Sequence, residues 1–195
     1  MVNLSAFITF VLLASFTPGP NNIMGLTLAG RMGFGHFMRT YMVGMFLGCL
    51  LLMIISAYLC LLLFNLIPKI EPYMRWGGFA YIMYLAWIIY RDKPSGEKRP
   101  LLRPDSILAG AVMQFLNVKG ILYIVTSFST FIIPSYNDTF TLGLFAVVLT
   151  ITSCLATTTW AGMGVALQRV FTAHPKATNL IMALLLVYCA CTLVV

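Results

Sequence analysis

The pattern of apolar and polar positions divides the chain into six long apolar stretches separated by short polar segments. The stretches cover Leu4–Ala29, Tyr41–Ile67, Tyr73–Tyr90, Ile107–Ile133, Phe140–Leu167 and Ala177–Val195. Each is close to or above the ~20 residues that an α-helix needs to cross a hydrocarbon core about 30 Å thick. The pattern therefore predicts an all-α integral membrane protein with six transmembrane helices in a single membrane domain over residues 1–195.

Composition supports this reading. Of the 195 residues, 61% are apolar and 9% are charged, whereas a soluble domain carries about 25% charged residues. A core of this size cannot hide so much apolar surface, so the remainder must face lipid. The lipid bilayer is therefore the first predicted partner.

The net charge of +7 taken alone would suggest a nucleic-acid partner, but the positions of the basic residues argue against one. Nine of the twelve fall between helices 1 and 2, 3 and 4, or 5 and 6: Arg31, Arg39, Arg91, Lys93, Lys98, Arg99, Arg103, Arg169 and Lys176. Excess Lys and Arg marks cytosolic loops. The distribution predicts that both termini lie outside the cytosol and that nucleic acid is not a partner.

The two halves of the chain match in hydropathy and in the places where helices are interrupted. Helices 1, 2 and 3 fall on helices 4, 5 and 6, which gives repeats of about 1–98 and 99–195. Because each half has an odd number of helices, the second half enters the membrane inverted. Inverted repeats with interrupted helices at matching places are the sequence-level indication of a secondary transporter.

The first interruption is the stretch TPGPNN, in the middle of an otherwise good apolar helix. Pro18 and Pro20 have no N–H, so the carbonyls of Ala14 and Phe16 lose their helical donors. We expect Gly19 to allow a sharp backbone bend. A break of this kind survives in a membrane only where protein or a polar cavity covers it.

Pro20 suits the first position of a new half-helix, which places Asn21 and Asn22 in its first turn. The free N–H groups and the positive dipole end of such a half-helix favour a carboxylate. A proline kink without a ligand is the simpler alternative. Together with Pro18 and Gly19, these residues form the first half of the predicted substrate site.

The second interruption lies in helix 4, at LNVKGI (Leu116–Ile121), and carries Gln114, Asn117 and Lys119. Lys119 is the charged residue predicted inside the bilayer, because the acidic residues all lie in loops or at helix ends: Glu71, Asp92, Glu97, Asp105 and Asp138. A lysine buried at that depth costs several kcal/mol and is functional by default. It either faces a ligand or binds carbonyls exposed by the first break, and both can hold in different conformations.

TPGPNN in the first helix and Asn117-Val118-Lys119 in the fourth resemble the lysine-exporter family of amino-acid efflux proteins. The resemblance covers the whole chain. The usual second motif of that family is Asn-Pro-Lys, and the valine here resembles the branch that exports cysteine and O-acetylserine. The stretches QFLNVKGILY, STF at Ser129–Phe131 and ALLLVYCA resemble that branch too.

The resemblance implies a multi-pass protein of the bacterial inner membrane that exports small amino acids, cysteine and O-acetylserine first among them, by proton antiport. No cofactor and no metal are implied, and a homo-oligomer is compatible with the sequence. Export of homoserine, threonine or other neutral amino acids remains an alternative. Because no acid or histidine is predicted in the bilayer, uniport down the substrate gradient is another.

Other classes of protein fit the sequence less well. A metal-ion exporter needs carboxylate or imidazole ligands, whereas His36 and His174 are predicted in loops. A membrane hydrolase would need a motif such as HExxH or GxSxG, and neither occurs, so we do not expect an enzyme. The five cysteines lie in apolar stretches without metal-site spacing and are interpreted as packing residues. A non-transporting assembly subunit remains open.

Overall fold

The structure is a computed structural model that describes residues 4–63, 67–91, 106–167 and 173–194. Every regular element in this part of the chain is helical. The helices are α1 (Leu4–Phe16), α2 (Pro20–Met32), α3 (Phe34–Arg39), α4 (Tyr41–Leu63), α5 (Ile67–Arg91), α6 (Ile107–Leu116), α7 (Val118–Thr126), a π-helix (Ser127–Ile132), α8 (Thr139–Ala166) and α9 (Pro175–Val194). Within the described residues, each predicted apolar segment overlaps one of these helices or a run of consecutive ones.

Length and apolar composition identify the helices that could cross a membrane. Within the described residues, Phe34–Leu62 and Thr139–Ala166 are long and apolar enough on their own. Counting each bent pair, α1 with α2 and α6 with α7 and the π-helix, as one span gives up to four. The all-helical, membrane-compatible character is thus confirmed, while the count of six spans stays a prediction.

The first predicted interruption is confirmed as a helix break. Helix α1 ends at Phe16, α2 begins at Pro20, and the two halves differ in direction by 44°. Gly19 is in an ordinary extended conformation, with φ −167° and ψ 169°, so the expectation that it supplies an unusual bend is wrong. Its lack of a side chain makes room instead, because a Cβ there would lie 2.9 Å from Cδ of Lys119.

The second predicted interruption is confirmed too, although it contains no proline. Helix α6 ends at Leu116, α7 begins at Val118, and the bend is 64°. Asn117 joins the halves with φ −82° and ψ 86°, and its Oδ1 accepts a hydrogen bond from the Gly120 N–H at 3.2 Å. At this break an asparagine side chain caps the following helix, whereas at the first break prolines interrupt the helix because they have no N–H to donate.

Three local features differ from the prediction. The short helix α3 and the π-helix have no signal in the apolar pattern. Helix α5 begins at Ile67 rather than at Tyr73. Pro68 lies in its first turn, where a missing N–H costs no helical bond, so the polar stretch after it still continues as helix.

Glycines allow the helices that carry the site to approach each other closely. A Cβ at Gly44 or Gly110 would collide with backbone of the facing helix, which packs α4 against α6. Gly164 does the same between α8 and α2, where its neighbour is the backbone of Leu26. Small residues at such contacts are the usual way in which membrane helices associate. Outward-facing side chains remain apolar, as at Leu62 and Phe140.

Candidate functional site

Lys119 joins the two helix breaks. Its Nζ donates to Thr17 Oγ1 at 2.8 Å, to the Pro18 carbonyl at 2.9 Å and to the Thr17 carbonyl at 3.2 Å. These acceptors lie in the first break, about a hundred residues away along the chain. Since Lys119 stands in the first turn of α7, the structure brings the second interruption against the first. The sequence-based alternative that Lys119 binds carbonyls of the first break describes this conformation.

Asn22 connects the two halves of helix 1 with α8. Its Nδ2 donates to the Ser15 carbonyl at 2.8 Å and to the Thr17 carbonyl at 2.9 Å. Its Oδ1 accepts from Thr157 Oγ1 at 2.9 Å. The side chain is buried, so Asn22 holds the break open by satisfying carbonyls that a continuous helix would pair internally.

The two carbonyls that lose their helical donors to proline have other partners. The Phe16 carbonyl, opposite Pro20, accepts from Trp160 Nε1 of α8 at 3.1 Å. The Ala14 carbonyl, opposite Pro18, accepts a long bond of 3.4 Å from Thr17 Oγ1. Unpaired carbonyls in a membrane interior cost several kcal/mol each. Side chains of α7 and α8 and of the break itself therefore offset the cost of the interruption.

Asn21 and Gln114 form an amide pair beside the breaks. Asn21 Nδ2 donates to Gln114 Oε1 at 2.7 Å, and Gln114 Nε2 is 3.4 Å from Asn21 Oδ1. Gln114 Nε2 also donates to the Gly110 carbonyl at 3.0 Å. The pair links the first turn of α2 to α6, which gives Gln114 a bracing role in this conformation.

A small cavity with several polar side chains in its lining lies between the breaks. Its volume is about 50 Å³, which accommodates about three or four water molecules. It is lined by Ala14, Ser15, Gly19, Asn21, Asn22, Met45, Asn117, Lys119, Gly120, Tyr123, Ser153 and Thr157. Among these residues Lys119 is the one cation and there is no carboxylate, so the lining favours an anionic group.

Two hydroxyl groups of this lining are buried without a hydrogen-bond partner in the described part of the chain: Ser15 Oγ and Tyr123 OH. Ser15 is 9% exposed and Tyr123 is 8% exposed. The Tyr123 ring is stacked on Phe10 with a centroid distance of 5.9 Å. Most buried polar groups in folded proteins are paired, so two unpaired hydroxyls on one cavity are unusual.

The predicted site residues divide into two groups. Five line the cavity: Gly19, Asn21, Asn22, Asn117 and Lys119. Three lie beside it: Pro18 supplies a carbonyl to Lys119, Pro20 starts α2, and Gln114 braces Asn21. Whether they bind substrate stays a prediction.

Sequence reasoning did not select Ser15, Thr17, Tyr123 and Ser153. A serine or tyrosine in an apolar helix gives no signal of its own. The i, i+4 spacing of Lys119 to Tyr123 within one helix was the one available indication.

Comparison with known proteins identifies the family of the chain. The model of the family described as LysE type translocator matches residues 12–195. Proteins named cysteine/O-acetylserine efflux protein from Escherichia coli O157:H7, Escherichia coli strain K12 and Shigella flexneri serotype 5b (strain 8401) are each 38% identical to the chain over 187 residues. Each alignment covers 96% of this chain and 95% of the relative.

No solved structure matches the chain. The family match covers nearly the whole chain, and the relatives are aligned over almost their full lengths. The chain belongs to the LysE type translocator family.

Proposed function

We propose that this protein is a secondary transporter that exports small amino acids from the bacterial cytoplasm, with cysteine and O-acetylserine as the main substrates. The names of its relatives support the substrate class. The observation that carries the proposal is the contact of Lys119 with the broken backbone at Thr17 and Pro18, in the wall of the cavity. In this contact the Lys119 ammonium is bound by backbone carbonyls. A zwitterionic amino acid can replace both partners, because its carboxylate can bind the ammonium and its ammonium can bind the carbonyls.

An amino acid carries a carboxylate and an ammonium, the two charged groups that can replace the partners in this contact. Its carboxylate would take Lys119 Nζ, in a charge-assisted hydrogen bond that is roughly twice as strong as a bond between neutral groups. Its ammonium would take the Thr17 and Pro18 carbonyls that Lys119 leaves. The positive end of the α2 half-helix, at Asn21 and Asn22, adds attraction for the carboxylate. Binding then replaces the hydrogen bonds from Lys119 to the carbonyls with bonds from Lys119 to the substrate carboxylate and from the substrate ammonium to the carbonyls.

Binding must also widen the site. A cavity of about 50 Å³ takes about three or four waters, which is less than a whole amino acid needs. The Lys119 side chain lies against Gly19. Its departure from the first break would enlarge the cavity and separate the two breaks, which is the kind of movement that alternating access between repeats requires.

The membrane arrangement that fits this function has six spans in two inverted repeats, over about 1–98 and 99–195, as a single transport domain in the inner membrane. The two helix breaks meet, as equivalent interruptions of inverted repeats would. The excess of Lys and Arg in alternate loops supports an orientation with both termini in the periplasm.

The driving force that we propose is proton antiport, which the resemblance to the lysine-exporter family implies. Uniport would leave substrate flux independent of the proton gradient, so collapsing that gradient in loaded vesicles separates the two mechanisms.

Transport by the purified protein tests the function. Proteoliposomes preloaded with O-acetylserine or cysteine should release both faster than liposomes without protein, and they should retain lysine and glutamate. Release of neither amino acid above the protein-free rate would contradict the proposed function. Equal release of every neutral amino acid would support export and remove the preference for these two.

Reporter fusions test the orientation. We expect a reporter that is active only in the periplasm to give a signal when fused after Val195, and none when fused in the predicted cytosolic segment over residues 91–104. The reason is the concentration of basic residues in that loop. A cytosol-active reporter at the same two positions is the control, and it should give the opposite pattern. A cytosolic C-terminus would overturn the orientation.

A further inference from the structure

Ser15 and Tyr123 carry buried hydroxyl groups that make no hydrogen bond of good geometry within the described residues. Both residues line the cavity and both are more than nine-tenths buried. The side chains of Ser15 and Ser153 lie near the Tyr123 hydroxyl, but neither Ser15 Oγ nor Tyr123 OH makes such a hydrogen bond. The stacking of the Tyr123 ring on Phe10 does not involve the hydroxyl. Phenylalanine and alanine would fill the same space without leaving a polar group unpaired, so packing does not explain these two residues.

The positions of the two hydroxyls fit one part of a bound amino acid. Tyr123 is four residues after Lys119 on α7, so their side chains are neighbours on one helix face. Ser15 lies four residues before Gly19, against which the Lys119 stem packs. With the carboxylate on Lys119 and the ammonium on the break carbonyls, the side chain is the remaining polar group of the substrate.

We propose that Ser15 and Tyr123 form a subsite that selects amino acids with a small side chain that accepts hydrogen bonds, above all an ester or hydroxyl oxygen. This inference rests on the proposed function. A hydroxyl donates well to an ester carbonyl, whereas a thiol is a weak partner. A site whose buried polar groups stay unpaired rejects an apolar analogue strongly. O-acetylserine would therefore be bound through its side chain more firmly than cysteine.

Binding by purified Tyr123→Phe tests the subsite. We expect the affinity for O-acetylserine to fall roughly fivefold to tenfold, which corresponds to the loss of one hydrogen bond between neutral groups. The affinity for 2-aminobutyrate, which has an apolar side chain, should stay unchanged. Ser15→Ala should shift the same ratio in the same direction. The matched control is Tyr41→Phe, a buried tyrosine stacked on Phe37 outside the cavity lining, which should alter neither affinity.

Unfolding of the substrate-free protein gives a second measurement, independent of ligands. Removing an unpaired buried hydroxyl should leave the unfolding temperature of Tyr123→Phe unchanged or raise it. A clear fall would show that the hydroxyl has a structural partner and would overturn the subsite. Equal loss of both amino acids would overturn it as well. A wild-type protein that binds no amino acid would overturn the proposed function itself, so the two failures are distinguishable.

Discussion

Lys119→Met is expected to weaken the binding of cysteine and O-acetylserine at least roughly tenfold and to abolish export. The substrate carboxylate would lose its one cationic partner in the cavity lining. A hydrogen bond to a charged group is worth about 1.5–3 kcal/mol, which gives the minimum loss. Methionine keeps the unbranched stem that packs on Gly19, so the change removes charge and leaves most of the volume.

The matched control for this change is Lys69→Met, which removes an exposed lysine near the start of α5 and should not alter binding. Lys119→Arg should recover only part of the affinity, because a planar guanidinium needs more room and the stem already lies close to Gly19.

The decarboxylated amine of each substrate separates the two roles of Lys119. An amine has no group for Lys119 to hold, and its ammonium competes with Lys119 for the Thr17 and Pro18 carbonyls, so Lys119→Met should leave its weaker binding unchanged or strengthen it. The measurement is calorimetric titration of purified variants with each amino acid and its amine. If the variant loses both in the same proportion, Lys119 only maintains the break, and the carboxylate model is wrong.

The position of the two breaks was predictable because each has a covalent or local cause. Proline cannot donate a helical hydrogen bond at Pro18 and Pro20, whatever surrounds it. At the second break Asn117 caps the next half-helix through its own neighbour Gly120, and the polar residues around Lys119 in an apolar segment marked the place. Local chemistry of this kind is fully present in a sequence.

The partners of the broken backbone were not predictable, because they come from helix packing. Trp160 donates to the Phe16 carbonyl across 144 residues, and nothing local to either residue indicates it. The same holds for the bond from Thr157 to Asn22. The prediction for Gly19 failed for a related reason. Glycine was expected there for its backbone freedom, whereas in the structure it leaves space for the Lys119 side chain.

The second large effect is expected from the double change Pro18→Ala with Pro20→Ala. Restored N–H groups would allow a continuous helix from α1 into α2. The carbonyls of residues 17 and 18 would then accept hydrogen bonds from backbone N–H groups of that helix. Lys119 would then lose the backbone acceptors that hold it in this structure. Lys119 is partly buried, so losing these acceptors should cost less than the about 3–5 kcal/mol of a fully buried charge left without its partner. We expect export to be lost and the unfolding temperature in detergent to fall.

A third variant shows whether Lys119 is the cause of that instability. Adding Lys119→Met to the double proline change removes the stranded ammonium, so the triple variant should recover most of the lost stability while export stays absent. This non-additivity is the signature of residues that interact directly. Thermal unfolding and efflux from loaded proteoliposomes, measured on the wild type, the double variant, Lys119→Met and the triple variant, complete the cycle. Additive losses of stability, or near-normal export by the double variant, would show that the broken helix and Lys119 do not work as one unit.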